Sequence, residues 1–318
     1  MKKFNGLLSR QAVVLLVIVC SGACSPLPEA TTAPVIPSST ATLTSTSTIT
    51  PSPTNTNTLE PTPLPGVLVY PLSSFDYGVP WLPLDRSKAL MSSFYGFNFE
   101  KLPFGNVYVR QAFAAAIDRE QIAAEATGFH FRNVTPATTL TPSDVLGRDL
   151  YGAVGIPFNP TRAKEYLVEA GFSSVVDFPP VTLAVYMRGE AAPGAYYHMA
   201  ESVAEMWETH LGVTVEVKVL SKPQDYIALF EQDPPEIFQL IWGADYCDPD
   251  NFLNTLFHST SEFNYGHFSS ADFDRIVEDA GGRLDPAARQ QLYIQAEQIL
   301  TEQLTGIIPL YYSSYYTP

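Results

Sequence analysis

From residue 107 onward, the apolar positions change period along the chain, and each change marks a new element. NVYVRQAFAAAIDREQIAAEA places Val109, Ala112, Phe113, Ala116 and Ile117 on one face of a helix. FNPTRAKEYLVEAGF predicts a second helix, with Asn159 as N-cap, Pro160 in the first turn, Tyr166 and Leu167 on the buried side and Gly171 as terminator. VTLAVYMRG then reads as a strand, YYHMAESVAEMWETHLG as an amphipathic helix closed by Gly212, and VTVEVKVL as a strand with Val213, Val215, Val217 and Val219 on one face. A shorter helix around QDYIALF leads to the apolar strand IFQLIW. Two more helices follow, SADFDRIVEDAG and DPAARQQLYIQAEQILTEQL, the second opened by Asp285 and Pro286, and then a strand, GIIPLYY. Strands alternating with helices predict an α/β fold with crossovers and a mixed, mainly parallel sheet flanked by helices. Ligands of such sheets usually sit beyond the strands' carboxyl ends.

One such end carries unusual charge. In IWGADYCDPDNFL the apolar run stops at Asp245, Asp248 and Asp250. Either these carboxylates organise a turn and a helix start, or they face something cationic. Asp248 followed by Pro249 is an N-cap and first-turn signature ahead of FLNTLF, so Asp248 reads as structural.

The amino-terminal third has a different composition. MKKFNGLLSR carries Lys2, Lys3 and Arg10, and AVVLLVIV is too short an apolar run to span a bilayer, so residues 1–23 read as a secretory signal. SGAC ends on Cys24 and resembles the lipobox of bacterial lipoproteins, although Ser21 departs from the branched apolar residue usual there. The resemblance implies that Cys24 is lipidated, anchoring the chain to the outer face of a bacterial membrane. Residues 25–65 hold 27 Ser, Thr or Pro in 41 positions and no aromatic, too little apolar surface to offset chain entropy. Residues 24–65 therefore read as a tether, spanning roughly 35 Å if fully flexible. Residues 66–318 form the globular part.

Charge and cysteine usage narrow the function. The net charge is −15, and removal of residues 1–23 takes it to −18, which disfavours nucleic acid as a partner. With Cys20 in the signal and Cys24 at the lipidation point, Cys247 is expected to be a lone, incidental thiol with no internal disulfide. The five histidines show no zinc-hydrolase spacing, and neither a nucleophile elbow nor a phosphate-cradling glycine loop occurs, so no enzyme, metal site or cofactor is expected and an extracytoplasmic hydrolase is the least favoured class.

The runs FYGFNFEKLPFGNVYVRQAFAAAIDRE, NPTRAKEYLVEAGF, IWGADYCDPDNFLNTLF, ADFDRIVEDA and RQQLYIQAEQILTEQLTGIIPLYY, in this order, resemble the extracytoplasmic solute-binding proteins of ABC importers, family 5, the oligopeptide, dipeptide and nickel class. The resemblance covers roughly residues 94–316. It implies the second lobe of a periplasmic-binding-protein-like (class II) fold, a peptide or small solute as ligand, and a permease with its ATPase as partners. In that family the aspartate of a W-x-x-D-type motif pairs with the ligand's α-amino group. By position this is Asp245, with Trp242 and Tyr246 beside it. Family members carry a further segment of comparable size before Val109, so the first lobe is expected to be largely absent. That expectation keeps a second function open, a reduced lobe that self-associates or binds a separate first-lobe protein without a ligand of its own.

Overall fold

The computed structural model of the protein describes residues 90–129, 131–176, 178–186, 194–232 and 234–314. All of these fall in one compact unit; the expected signal, lipobox and tether lie outside the described residues. Strands β1 (Met91–Phe97), β2 (Thr135–Pro136), β3 (Val181–Tyr186), β4 (Val215–Leu220), β5 (Ile237–Gly243) and β6 (Ile307–Ser313) form a sheet in the order β2-β6-β1-β5-β3-β4. The helices are α1 (Val107–Ala115), α2 (Arg119–Gly128), α3 (Ser143–Leu146), α4 (Pro160–Glu169), α5 (Ala195–Leu211), α6 (Pro223–Gln232), α7 (Leu253–Phe257), α8 (Ala271–Gly282) and α9 (Pro286–Gln298). A 3-10 turn, Pro249–Asn251, precedes α7.

Most of the predicted elements form for the predicted reasons. Asn159 caps α4 by accepting from the Arg162 N–H at 3.0 Å, and Pro160 opens the helix. Gly171 and Gly212 take φ of +97° and +75°, the left-handed conformation that a side chain would strain. Asp285 caps α9 through the Ala288 N–H. The run from Asn106 divides where Asp118 caps a new helix, α2, by accepting from Glu120 and Gln121. Val109, Ala112, Phe113, Ala116 and Ile117 are all fully buried even so.

The sheet is mixed, as expected, but its balance differs from the expectation. β3 pairs parallel with β4 and β5, whereas β1 pairs antiparallel with both β5 and β6, and β2 antiparallel with β6. The parallel half is the segment in which helices separate strands, since a parallel return needs a crossover. β1 and β6 lie outside that alternation and run the other way.

Two apolar layers cover the sheet. Tyr95 and Phe97 of β1 and Val181, Leu183 and Val185 of β3 pack with α1, α2, α4 and α5. On this side Trp207 is fully buried, its indole N–H donating to the Phe113 carbonyl at 2.9 Å. Truncating such a residue to alanine typically costs about 3–5 kcal/mol. Phe94 faces the other way, into a cluster with Phe252, Leu256, Phe273, Val277 and Leu300 from the side of α7, α8 and α9.

Candidate functional site

The topology singles out one crevice. The chain passes from β3 through α5 to β4 on one side, then through α6 to β5 on the other side of β3. After β3 it leads into α5, which packs in one apolar layer, and after β5 into α7, which packs in the other. The boundary between β3 and β5 is therefore a topological switch point, where loops diverge and open sheets bind ligands beyond the carboxyl ends. Asp245 lies two residues past the end of β5. Strand β1 begins at the same edge, where the Ala244 N–H donates to the Leu90 carbonyl at 3.0 Å.

Asp245 is half-buried, and the contacts that hold it come from Asn251. The buried Asn251 Oδ1 accepts from the Asp245 backbone N–H at 2.9 Å and from the Trp242 indole N–H at 3.1 Å, while its Nδ2 approaches Asp245 Oδ2 at 3.4 Å. Among the described residues no cation pairs with Asp245. Burial pushes its carboxyl above the ordinary carboxylate range, and the Asn251 hydrogen bond acts against that rise. A semi-buried carboxylate with little solvent and no partner charge is suited to a charge-assisted hydrogen bond from a ligand ammonium.

The other expected site residues are placed differently. Trp242 packs edge-on against Phe263, centroids 5.5 Å apart, so the structure joins it to Asp245 through Asn251. Tyr246 is partly exposed, at 45%, and its hydroxyl donates to Asp250 Oδ2 at 2.8 Å. Burial, with Asp250 close by, raises this phenol to about 12, so it stays a donor at neutral pH. Asp250 also accepts from Asn254 Nδ2 at 3.1 Å. Asp248 caps the 3-10 turn by accepting from the Asp250 N–H at 2.9 Å and is clasped by both terminal nitrogens of Arg289. The structural reading of Asp248 thus holds, with a cation on α9 that the local pattern did not suggest.

One expectation is overturned. Cys247 is not a lone thiol but part of a disulfide. The other two cysteines in the sequence, Cys20 and Cys24, lie outside the described residues, as does Cys24's expected role as the lipidation point. The elimination that left Cys247 unpaired assumed that both had been removed or modified.

Two surface hollows are open and shallow. One, lined by Asn254, His258, Phe263 and Glu278, adjoins the site through the Phe263 contact with Trp242; the other runs along α4 and shares no residue with it. Among the described residues no group of three or more His, Cys, Asp or Glu could hold a metal ion. Asn251 and Arg289 are the residues that sequence reasoning missed. Asn251 sits in the quoted stretch but reads only as a turn residue, and Arg289 lies 41 residues from its partner.

Comparison with known proteins bears on the family and the fold. The family model described as bacterial extracellular solute-binding proteins, family 5 Middle, matches residues 49–264. A probable deoxycholate-binding periplasmic protein of Escherichia coli K12 is 32% identical over 227 residues, covering 70% of this chain and 40% of the relative. The periplasmic oligopeptide-binding protein of Salmonella typhimurium is 30% identical over the same extent. Among solved structures, the unliganded open form of the periplasmic murein tripeptide-binding protein MppA superposes with a TM-score of 0.61 at 26% identity, covering 71% of this chain and 42% of its own. The chain thus spans about 40% of the length of the curated relatives it matches. A solved peptide-binding protein of an ABC transporter shares the fold with a TM-score of 0.58 at 24% identity, and there the match takes in 99% of the solved chain. By the family match and the shared fold, this chain belongs to the bacterial extracellular solute-binding proteins of family 5.

Proposed function

We propose that the chain is the extracytoplasmic solute-binding component of an ABC importer. In this reading Asp245 takes the α-amino group of a peptide or a similar small cationic or zwitterionic solute, with Trp242 and Tyr246 beside it. The observation that carries the reading is a half-buried carboxylate at the sheet's switch point that no cation neutralises among the described residues. The relatives named above are binding proteins by their titles, among them the oligopeptide-binding and the murein tripeptide-binding proteins, which supports the ligand class and a non-enzymatic role.

Trialanine and N-acetyl-trialanine, titrated into the protein by calorimetry, test the ammonium directly. Trialanine is expected to bind and the acetylated peptide, which lacks the charge, to bind at least tenfold more weakly, since a charge-assisted hydrogen bond contributes more than 1.4 kcal/mol. Equal binding of the two would overturn the role of Asp245. No heat from either, together with self-association on sizing, would favour the second reading, a lobe that acts as an interaction protein.

Residues 24–65 serve as the tether and Cys24 as the lipid anchor in the same reading, which rests here on the SGAC stretch and the composition behind it. Because a lipidated Cys24 sulfur and a removed Cys20 are both excluded as disulfide partners, the anchor and a Cys247 disulfide within the chain are alternatives in the mature protein. Cys24→Ser should move the protein from the membrane fraction to the soluble one. The same detergent partition and the same lipid mass in both proteins would refute the anchor.

A further inference from the structure

We infer that Asn251 is the positioning residue of the Asp245 site, one side chain that fixes the backbone and the carboxylate of Asp245 and the indole of Trp242 together. Its importance for ligand affinity rests on the ammonium-binding reading above; its hold on Asp245 does not.

The geometry leaves this amide one orientation. Asn251 Oδ1 accepts two N–H donors, from Asp245 and from Trp242, and Nδ2 faces Asp245 Oδ2. A flipped amide would set N–H against N–H twice and oxygen against carboxylate once. The side chain is 1% exposed, so water cannot replace these bonds. Among the described residues no other side chain hydrogen-bonds Asp245. Asn251 is itself held in place, because it ends the turn that Asp248 caps and Arg289 clasps. An asparagine needed only for the turn would have no reason to aim its remaining donor at a carboxylate. That donor also favours the charged form of Asp245 against the effect of burial.

Two substitutions separate positioning from mere support of the fold. Asn251→Asp is isosteric and keeps an oxygen for both N–H donors, but sets a second carboxylate against Asp245, and two such groups in contact resist ionising together. Asn251→Ala removes all three bonds. Asp248 with Arg289 is left as it is in both, whereas Tyr246, which interacts with both Asp250 and Asn251, loses or changes its Asn251 contact. The readout is the carboxyl titration of Asp245, followed by NMR in the full chain labelled with 13C at aspartate carboxyls and assigned with Asp245→Asn.

The midpoint is expected to move up in both variants, further in Asn251→Asp, and trialanine should bind Asn251→Ala at least tenfold more weakly. An unmoved Asp245 midpoint in Asn251→Asp overturns the assignment whatever happens to thermal stability, and this variant decides alone if Asn251→Ala does not fold. Because the titration is read without ligand, the two readings fail separately. A shifted midpoint with no trialanine binding to the parent protein would sink the ammonium-binding proposal and leave the role of Asn251 standing.

Discussion

Asp245 and Asp248 stand three residues apart in the same loop, yet the fold treats them in opposite ways. Asp248 caps a turn, accepts two guanidinium nitrogens and is fully satisfied within the chain. Asp245 is half-buried with only a neutral amide for company. Burying a charge without a counter-charge carries a cost that a well-paired one offsets. A carboxylate whose charge is met inside the chain is structure; one that is desolvated and left unmet at a switch point is the place to look for a ligand. Glu297 extends the comparison, a fully buried carboxyl on α9 that accepts from the backbone N–H groups of Leu140 and Thr141 at 2.8 and 2.7 Å.

The largest expected effect belongs to Glu297. Burial raises its carboxyl from 4.5 to about 7, against the pull of its hydrogen bonds. The folded state therefore holds a proton that the unfolded chain releases at lower pH. The stability this group contributes is fully present below about pH 4.5 and is lost as pH rises through 7, about 3 kcal/mol over that window. Urea denaturation at a series of pH values, compared between the parent and Glu297→Gln, checks it; the variant should lose that part of the pH slope. An identical slope in both would show that Glu297 does not titrate there.

Breaking the satisfied pair should come next. Arg289→Met strands Asp248, whose side chain is only 25% exposed, and is expected to destabilise the protein by about 2 kcal/mol, between the values for surface and buried pairs. Chemical denaturation measures it, and a loss below 0.5 kcal/mol would place Asp248 among the ordinary surface charges. Asp245→Asn should move stability least, within about 0.5 kcal/mol and on the stabilising side, because the substitution removes a charge that burial disfavours. A loss as large as that of Arg289→Met would erase the distinction between the two aspartates.

How much of this was legible in the sequence follows the range of the interactions. The cap at Asp248, the helix start at Asn159 and Pro160 and the end at Gly212 depend on neighbours a few residues away, and the local pattern predicts them. The Arg289 clasp on Asp248 and the Glu297 clasp on the 140–141 backbone join residues that only the tertiary fold brings together, so no spacing announces them. Strand β1 went unseen for a different reason. MSSFYGF is buried on both faces, with Ser92 and Ser93 among its hidden positions, and so shows no alternation. Missing β1 also hid the antiparallel half of the sheet, which is why the parallel share was overstated. Asp245 is singled out by likeness to a family motif, while its hydrogen bond with Asn251 depends on how the turn folds and no pattern announces it.

The most direct measurement is calorimetry of trialanine binding to the parent protein, Asp245→Asn and Asp248→Asn side by side. Removing one partner of a desolvated charge pair leaves the other uncompensated, so Asp245→Asn should weaken binding by about 2 kcal/mol, roughly thirtyfold. Asp248→Asn should lower the unfolding midpoint and leave the affinity within about twofold. Equal affinity of the parent and Asp245→Asn would contradict the account and return Asp245 to the same structural role as Asp248.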